Sequence, residues 1–370
     1  MRFFMKNVLG RLIGLGLLVF ICAACETTKK GEFEVLYVAN SGSNDVSAFS
    51  IDPDTGALSA VSGSPFAAGS NPQAVAVDPS FKFAYVANAG SNNISAFTVD
   101  QATGELTAIA GSPYATGGYP VSIAIEPAGE FAYVANYLSG TISAFTIDQA
   151  TGALTAISGS PFAAGSFPRS VVVHPTGQFA YVANSYAGYI SAFTIDQATG
   201  ALTAMGSSPF PTEAIPVSIA IDPTGVFAYL GNDETRNVYA FTIDTATGVL
   251  TPMAGSPFGA DNVPVSIAID PEGKFAYVAN WYAGNVSAFA IDADTGALTA
   301  VTGSPFAAGE YPISVAVDPS GLFAYVVNYG SDDVSAFTIN AYTGALTAVG
   351  GSPFAVGDEP RSVAVIRFAQ

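Results

Sequence analysis

From residue 34 onward, apolar residues come in runs of four to six, bounded by Gly, Pro, Asn, Asp or Ser. Such runs, rich in β-branched and aromatic residues, predict short β-strands. No stretch after residue 24 carries the longer apolar period of a helix. Residues 72–114 show the arrangement. Gln73–Val77, Phe83–Asn88, Ile94–Val99 and Leu106–Ile109 read as four strands, and Gly111-Ser112-Pro113-Tyr114 leads out. Asp78-Pro79-Ser80 and Asp100-Gln101-Ala102-Thr103-Gly104 read as turns, with Gly104 free to take a left-handed conformation. A strand with one wet face alternates apolar with polar. Here Phe83 and Tyr85 project one way and Ala84 and Val86 the other. Both faces are therefore apolar, one with large residues and one with small, as expected for a sheet packed on both sides.

The unit recurs. Its second strand closes on Asn40, Asn88, Asn136, Asn184, Asn232, Asn280 and Asn328, always 48 residues apart. Four strands per repeat, seven times, predict an all-β, seven-bladed β-propeller of four-stranded antiparallel blades over residues 34–370. The chain begins in a second strand (35–40) and ends in a first strand (Ser362-Val363-Ala364-Val365). The C-terminal strand is thus expected to complete the N-terminal blade and close the ring without an open edge.

The first 24 residues do not fit the repeat. Arg2, Lys6 and Arg11 precede an apolar run from Leu12 to Cys22, then Ala23-Ala24-Cys25. This is a signal pattern, too short to span a membrane. It resembles a bacterial lipoprotein signal, which implies a lipidated Cys25 as the new N-terminus, although Cys22 stands where Leu is usual. The alternative is an ordinary signal peptide cut nearby. Residues 25–33 read as a tether, so membrane attachment through Cys25 is expected without a span. Glu26 resembles the outer-membrane sorting pattern, which places the protein in the cell envelope. With Cys25 the only cysteine left, neither a disulfide nor a Cys-based metal site is expected.

Half of the residues are apolar and 11% are charged, a profile of a folded, sheet-rich chain. The net charge is −18; without the leader, 8 basic and 29 acidic residues remain, a net −21. Such a surface repels phosphate backbones, so nucleic acid is not an expected partner. A monomer without a cofactor is expected.

Three motifs together resemble a known family. They are Pro312-Ile313-Ser314-Val315-Ala316-Val317-Asp318-Pro319-Ser320-Gly321, Tyr85-Val86-Ala87-Asn88, and Val46-Ser47-Ala48-Phe49 followed by Thr55-Gly56-Ala57-Leu58. The chain resembles, over residues 34–366, the seven-bladed lactonases: propeller-type 6-phosphogluconolactonases and the related tyrosine-valine-threonine-asparagine repeat proteins. The resemblance is specific for the fold and weak for activity, because every member needs the motif to build blades.

Candidate chemistry lies where the seven copies differ. The resemblance implies a ligand mouth formed by the loops leading into each first strand and those joining second to third strands. After the lead-in Pro stand Gln73, Val121, Arg169, Val217, Val265, Ile313 and Arg361. Arg169 and Arg361 are expected to face each other and could clamp a carboxylate or phosphate; alternatively each pairs with local acids such as Asp358 or Glu359. Tyr119, Phe167 and Tyr311 precede the Pro, and Tyr137, Tyr186, Trp281, Tyr282 and Tyr329 lie in the second-to-third loops. This rim could hold a carbohydrate, lactone or peptide, or could be packing between blades. The Asp233-Glu234-Thr235-Arg236 loop reads as a partner contact or a charged surface. Lactone hydrolysis would use Arg169 or Arg361 as oxyanion donor and Glu213, Glu310 or Glu359 as base. The resemblance implies His beside the Arg, where this chain has Ser170. The recurrent Asn reads as a turn cap, and the Asp before Thr-Gly as a turn residue without a calcium ligand series. The single histidine, His174, stands in a turn that carries Asp in most copies, and reads as structural. A ligand-binding scaffold and a lactonase acting outside the cytoplasm are therefore the two functional readings.

Overall fold

The computed structural model describes residues 32–212 and 215–369. The leader, Cys25 and Glu213 lie outside the described residues. Every regular element among the described residues is a strand, and the strands form seven antiparallel sheets, each a blade. We number the blades from the one that holds both ends of the described chain.

The third blade is representative. Pro120–Ile125 is innermost, followed outward by Phe131–Asn136 and Thr141–Ile147. The outer edge differs from the expected single strand. It consists of two pieces, Leu154–Ala156 and Phe162–Ala163, which pair with opposite ends of Thr141–Ile147. Between them lies the Gly-Ser-Pro loop, whose Ser160 Oγ accepts the N–H of Ala144 at 2.9 Å. The serine thus takes over the hydrogen bond that the missing strand residue would make. The same bond recurs in all seven blades, from Ser64 to Ser352.

The core lies between blades. Phe83, Tyr85 and Ala87 pack against Ala132 and Val134 of the next blade, while Ala84 and Val86 pack against Val35 and Tyr37 of the preceding one. Large residues of one blade therefore meet small residues of its neighbour, as the alternation predicts. The contact is fixed by polar bonds. Tyr85 Oη donates to the carbonyl of Gly152 at 2.9 Å, and the other six tyrosines at this position do likewise around the ring. Gly152 has φ +71°, and a Cβ there would come within 2.4 Å of Phe83. The turn thus needs glycine both for its backbone and for the close approach of the next blade.

Closure follows the expected permutation. Glu32–Asn40 pairs with the C-terminal strand Pro360–Ala369, which is the innermost strand of the first blade. Glu34 and Arg367, opposite each other in that register, form an ion pair. Phe33 and Phe368 stack with centroids 5.7 Å apart.

Candidate functional site

Each innermost strand begins with a one-residue bulge. In the fourth blade Pro168 pairs with Asn184 and Ser170 with Ala183, which leaves Arg169 without a partner on Phe179–Asn184. The same shift isolates Val121, Val217, Val265, Ile313, Gln73 and Arg361. A bulge re-aims its side chain. Here it aims seven side chains at the channel mouth, where all seven line one cavity of about 450 Å³.

The mouth is not symmetric. In ring order the bulged residues are Arg361, Gln73, Val121, Arg169, Val217, Val265 and Ile313. Arg361 and Arg169 therefore flank Gln73 and Val121 on one side, and Val217, Val265 and Ile313 form an aliphatic arc on the other. Gln73 donates to Asn71, whose Nδ2 reaches the Tyr119 hydroxyl at 3.3 Å. Tyr119 and Tyr137 line the same cavity.

The two arginines stand differently. Arg169 is exposed and makes no hydrogen bond or ion pair with any described residue. Arg361 is half-buried. Its Nε donates to Ser41 Oγ at 3.2 Å, and its guanidinium carbon lies 4.2 Å from the ring centre of Tyr329. Burial lowers its pKa from the ordinary arginine value, and the charge of Arg169 acts in the same direction. Neither forms an ion pair with Asp358 or Glu359, although the Glu359 charge acts on Arg361, and both groups meet the Ser41 hydroxyl.

Below the bulges lies a ring of hydroxyls formed by Ser122, Ser170, Ser218, Ser266, Ser314 and Ser362, with Ala74 in the remaining blade. Five of these Oγ atoms accept a backbone N–H from the neighbouring innermost strand, such as Val171 N to Ser122 at 3.1 Å. Each still has its own proton to donate, and no described residue accepts it. The Oγ of Ser218 is buried without a partner. Sequence comparison missed this ring because it sought residues that break the repeat, whereas these serines obey it. The signal was a hydroxyl on a strand whose neighbours are aliphatic.

The two glutamates with described side chains sit elsewhere. Glu310 lines a separate cleft on the rim. Glu359 stands behind Arg361, its Oε2 3.3 Å from the Ser41 hydroxyl, and does not line the cavity. No carboxylate lines the mouth among the described residues.

The rim aromatics form two arcs. Tyr119, Tyr137, Phe167 and Tyr186 follow one another at centroid distances of 6.2, 4.8 and 5.5 Å. Tyr282, Tyr311, Trp281 and Tyr329 form the second, at 6.2, 5.3 and 5.2 Å, and it ends on Arg361. Backbone bonds join the two loop sets, as in Tyr137 N to Tyr119 O at 2.9 Å and Tyr329 N to Tyr311 O at 3.0 Å. Tyr119, Phe167 and Tyr311 have φ of 59°, 56° and 54°. Asn71 and Glu359 share that conformation, which is therefore a property of the bulged lead-in.

His174 lies in the turn after its innermost strand and is fully buried. Its Nδ1 accepts from Thr176 N, and its Nε2 meets the carbonyl of Gly225 in the next blade at 2.8 Å. Both bonds fit one tautomer, with the proton on Nε2. The ring links two blades and does not line the mouth. The turn aspartates are equally local: Asp148 Oδ1 accepts from Ala150 N and Thr151 N.

Comparison with curated proteins found no match. Among solved structures, one similar chain is a Bacteroides uniformis protein provisionally described as a 6-phosphogluconolactonase. It is 23% identical, with a TM-score of 0.80 over 91% of this chain and 100% of its own. Another is the periplasmic gluconolactonase of Pseudomonas aeruginosa, 21% identical, with a TM-score of 0.78 over 90% of this chain and 99% of its own. At these identities the likeness shows the fold. The family model described as lactonase, 7-bladed beta-propeller, matches residues 21–122, 120–263 and 252–365, and on that breadth the chain belongs to the seven-bladed β-propeller lactonase family.

Proposed function

We propose that this protein is a lactonase that opens an unphosphorylated lactone at the arginine-flanked mouth of the channel. The observation that carries the reading is the convergence of Arg169, Arg361 and the serine hydroxyls on one cavity in a chain of this family. Hydrolysis adds water to the lactone carbonyl, gathers negative charge on its oxygen, and breaks the ring C–O bond to leave a hydroxy acid. Arg361, partly withdrawn from water and held by Ser41 and Tyr329, suits the developing oxyanion. Arg169, with no described partner, suits a polar or anionic substituent and then the product carboxylate. Val217, Val265 and Ile313 offer an aliphatic wall for the ring carbons. The attacking oxygen comes from water, and with no carboxylate among the described lining residues to take its proton the nucleophile is hydroxide from solvent, so the rate should rise with hydroxide concentration.

The leader and Cys25 support export and attachment to a membrane surface, which directs the activity to lactones outside the cytoplasm. The Pseudomonas protein is described as periplasmic, so this fold is used in that setting. A second reading, a binding scaffold, is favoured by the two aromatic arcs and by the lack of a carboxylate among the described lining residues.

The deciding experiment is acid release from a panel of sugar lactones by residues 26–370. Arg361→Ala should lower kcat/KM by about 10²- to 10³-fold, the usual effect of losing an oxyanion donor. Arg169→Ala should act mainly on KM. Turnover that survives the double variant would move the chemistry elsewhere, and a folded protein that binds lactones without turnover would establish the scaffold.

A further inference from the structure

On the rim between the sixth and seventh blades lies a separate cleft of about 570 Å³ lined by Trp281, Tyr282, Tyr311, Glu310, Ser331 and Asp333 among others. Tyr282 and Tyr311 stand at 82° to each other, and Trp281 lies 5.3 Å from Tyr311 at 33°. Gly330 makes this wall possible, because a Cβ there would come within 2.4 Å of the Tyr311 ring. Among the described residues the cleft holds two carboxylates and no basic side chain. The Glu310 carboxylate has no hydrogen bond to a described residue. Asp333 uses one oxygen to accept from Asn328 Nδ2 at 2.7 Å, and burial pushes its carboxyl above the ordinary value.

Three other blade junctions serve for comparison; a fourth, between the fourth and fifth blades, carries Tyr186 with Glu213, which lies outside the described residues. The corresponding positions between the third and fourth blades include Tyr137, Leu138, Phe167 and Tyr189, with no acid. Between the fifth and sixth they include Asp233, Glu234 and Asp261, with no aromatic residue. Between the seventh and first they carry acids and Tyr329, but Arg361 already covers that ring. The junction of the sixth and seventh blades thus combines several aromatic rings with carboxylates and, among the described residues, no cation over its Trp281, Tyr282 and Tyr311 cluster.

We propose that this cleft is a second binding site, distinct from the channel mouth, for a small organic cation of the quaternary or alkylated ammonium class. Aromatic faces and carboxylates both attract such a group, and its weak hydration lets it leave water for an aromatic corner. The acidic body of the protein adds a favourable long-range field.

Trp281 is the only tryptophan in the chain, so intrinsic emission reports directly on the cleft. Tetramethylammonium chloride should be titrated into the full-length protein, with sodium chloride at matched ionic strength as control and calorimetry beside the fluorescence. A saturable response to the ammonium salt alone is expected. Tyr311→Ala should abolish it, Glu310→Gln should weaken it about tenfold, and Arg169→Ala should leave it unchanged, with circular dichroism confirming each fold. The proposal is overturned by no saturable response in either method, by an equal response to sodium, or by a neutral sugar binding where the ammonium does not. Because lactone turnover is measured separately, failure here leaves the reading of the mouth intact, and failure there leaves this site intact.

Discussion

Tyr85 shows how one hydroxyl can join two blades. Its ring is fully buried, and its O–H ends on the Gly152 carbonyl of the next blade. Burial raises the phenol's pKa, so the group stays a neutral donor. Tyr85→Phe keeps the packing but strands that carbonyl, and should cost about 1–2 kcal/mol. Urea unfolding measures it; no loss would mean that water or a shifted turn satisfies the Gly152 oxygen. The turn aspartates set a pH dependence. In Asp148 the Thr151 hydroxyl, then backbone N–H groups, hold the carboxyl below its ordinary value. Asp52, Asp100, Asp196, Asp244 and Asp292 are lowered by the same kinds of bond. A depressed folded-state pKa gives stability that is present above the unfolded value and lost as pH falls through the folded one. The urea midpoint should therefore drop below about pH 4. Asp148→Asn should lessen that drop by its own share, with the other five aspartates still titrating, as Asn340 already makes the equivalent bonds without a titrating group. At this scale the sequence revealed the arginines and the aromatic rim, because both break a sevenfold rule. It hid the serine ring, which obeys the rule, and the positions of Glu310 and Glu359, which depend on how loops fold back.

Among elements, the innermost and outermost strands diverge most from their sequence pattern. The second strand, Phe83–Asn88, has the expected bounds, because alternating large and small apolar residues leave no other register. The outer edge was expected to be one strand and is two. Leu154–Ala156 and Phe162–Ala163 are too short to hold the edge unaided, and Ser160 bridges the gap to Ala144 N. The motif Gly-Ser-Pro announced a turn, but nothing in it announced that the chain would return to the same neighbour. Ser160→Ala should leave a partly buried N–H unpaired and cost about 1–3 kcal/mol. Hydrogen exchange at Ala144 should accelerate well beyond its neighbours; an unchanged rate would mean that the two strand pieces hold the edge themselves. The innermost strand diverges through its bulge. The Pro before Arg169 marked where the strand starts, but the extra residue that turns Arg169 toward the mouth emerged only from the pairing.

For the whole molecule, the decisive contact is the one between chain ends. Strand Pro360–Ala369 supplies the inner edge of the first blade, and with it come Arg361, Ser362, the Glu34–Arg367 pair and the Phe33–Phe368 stack. Deleting residues 360–370 should therefore do more than remove one strand. It exposes the edge of Glu32–Asn40, opens the ring on both sides of the first blade, and removes one arginine of the mouth. The expected result is loss of a single cooperative unfolding transition and association through the exposed edge, seen by scattering. A circular permutant separates closure from chain order. Glu32 lies opposite Ala369, so a short turn can join them as the other blades join their first and second strands. New ends placed between the first and second blades, near Ser70, would then leave every blade intact. That permutant should keep one transition, a melting temperature within several degrees of the parent, and whatever lactone turnover the parent has. If it folds and works while the deletion does not, ring closure is the requirement. If the permutant also fails, the order in which the blades are made and joined governs folding, and the closing strand acts as its last step.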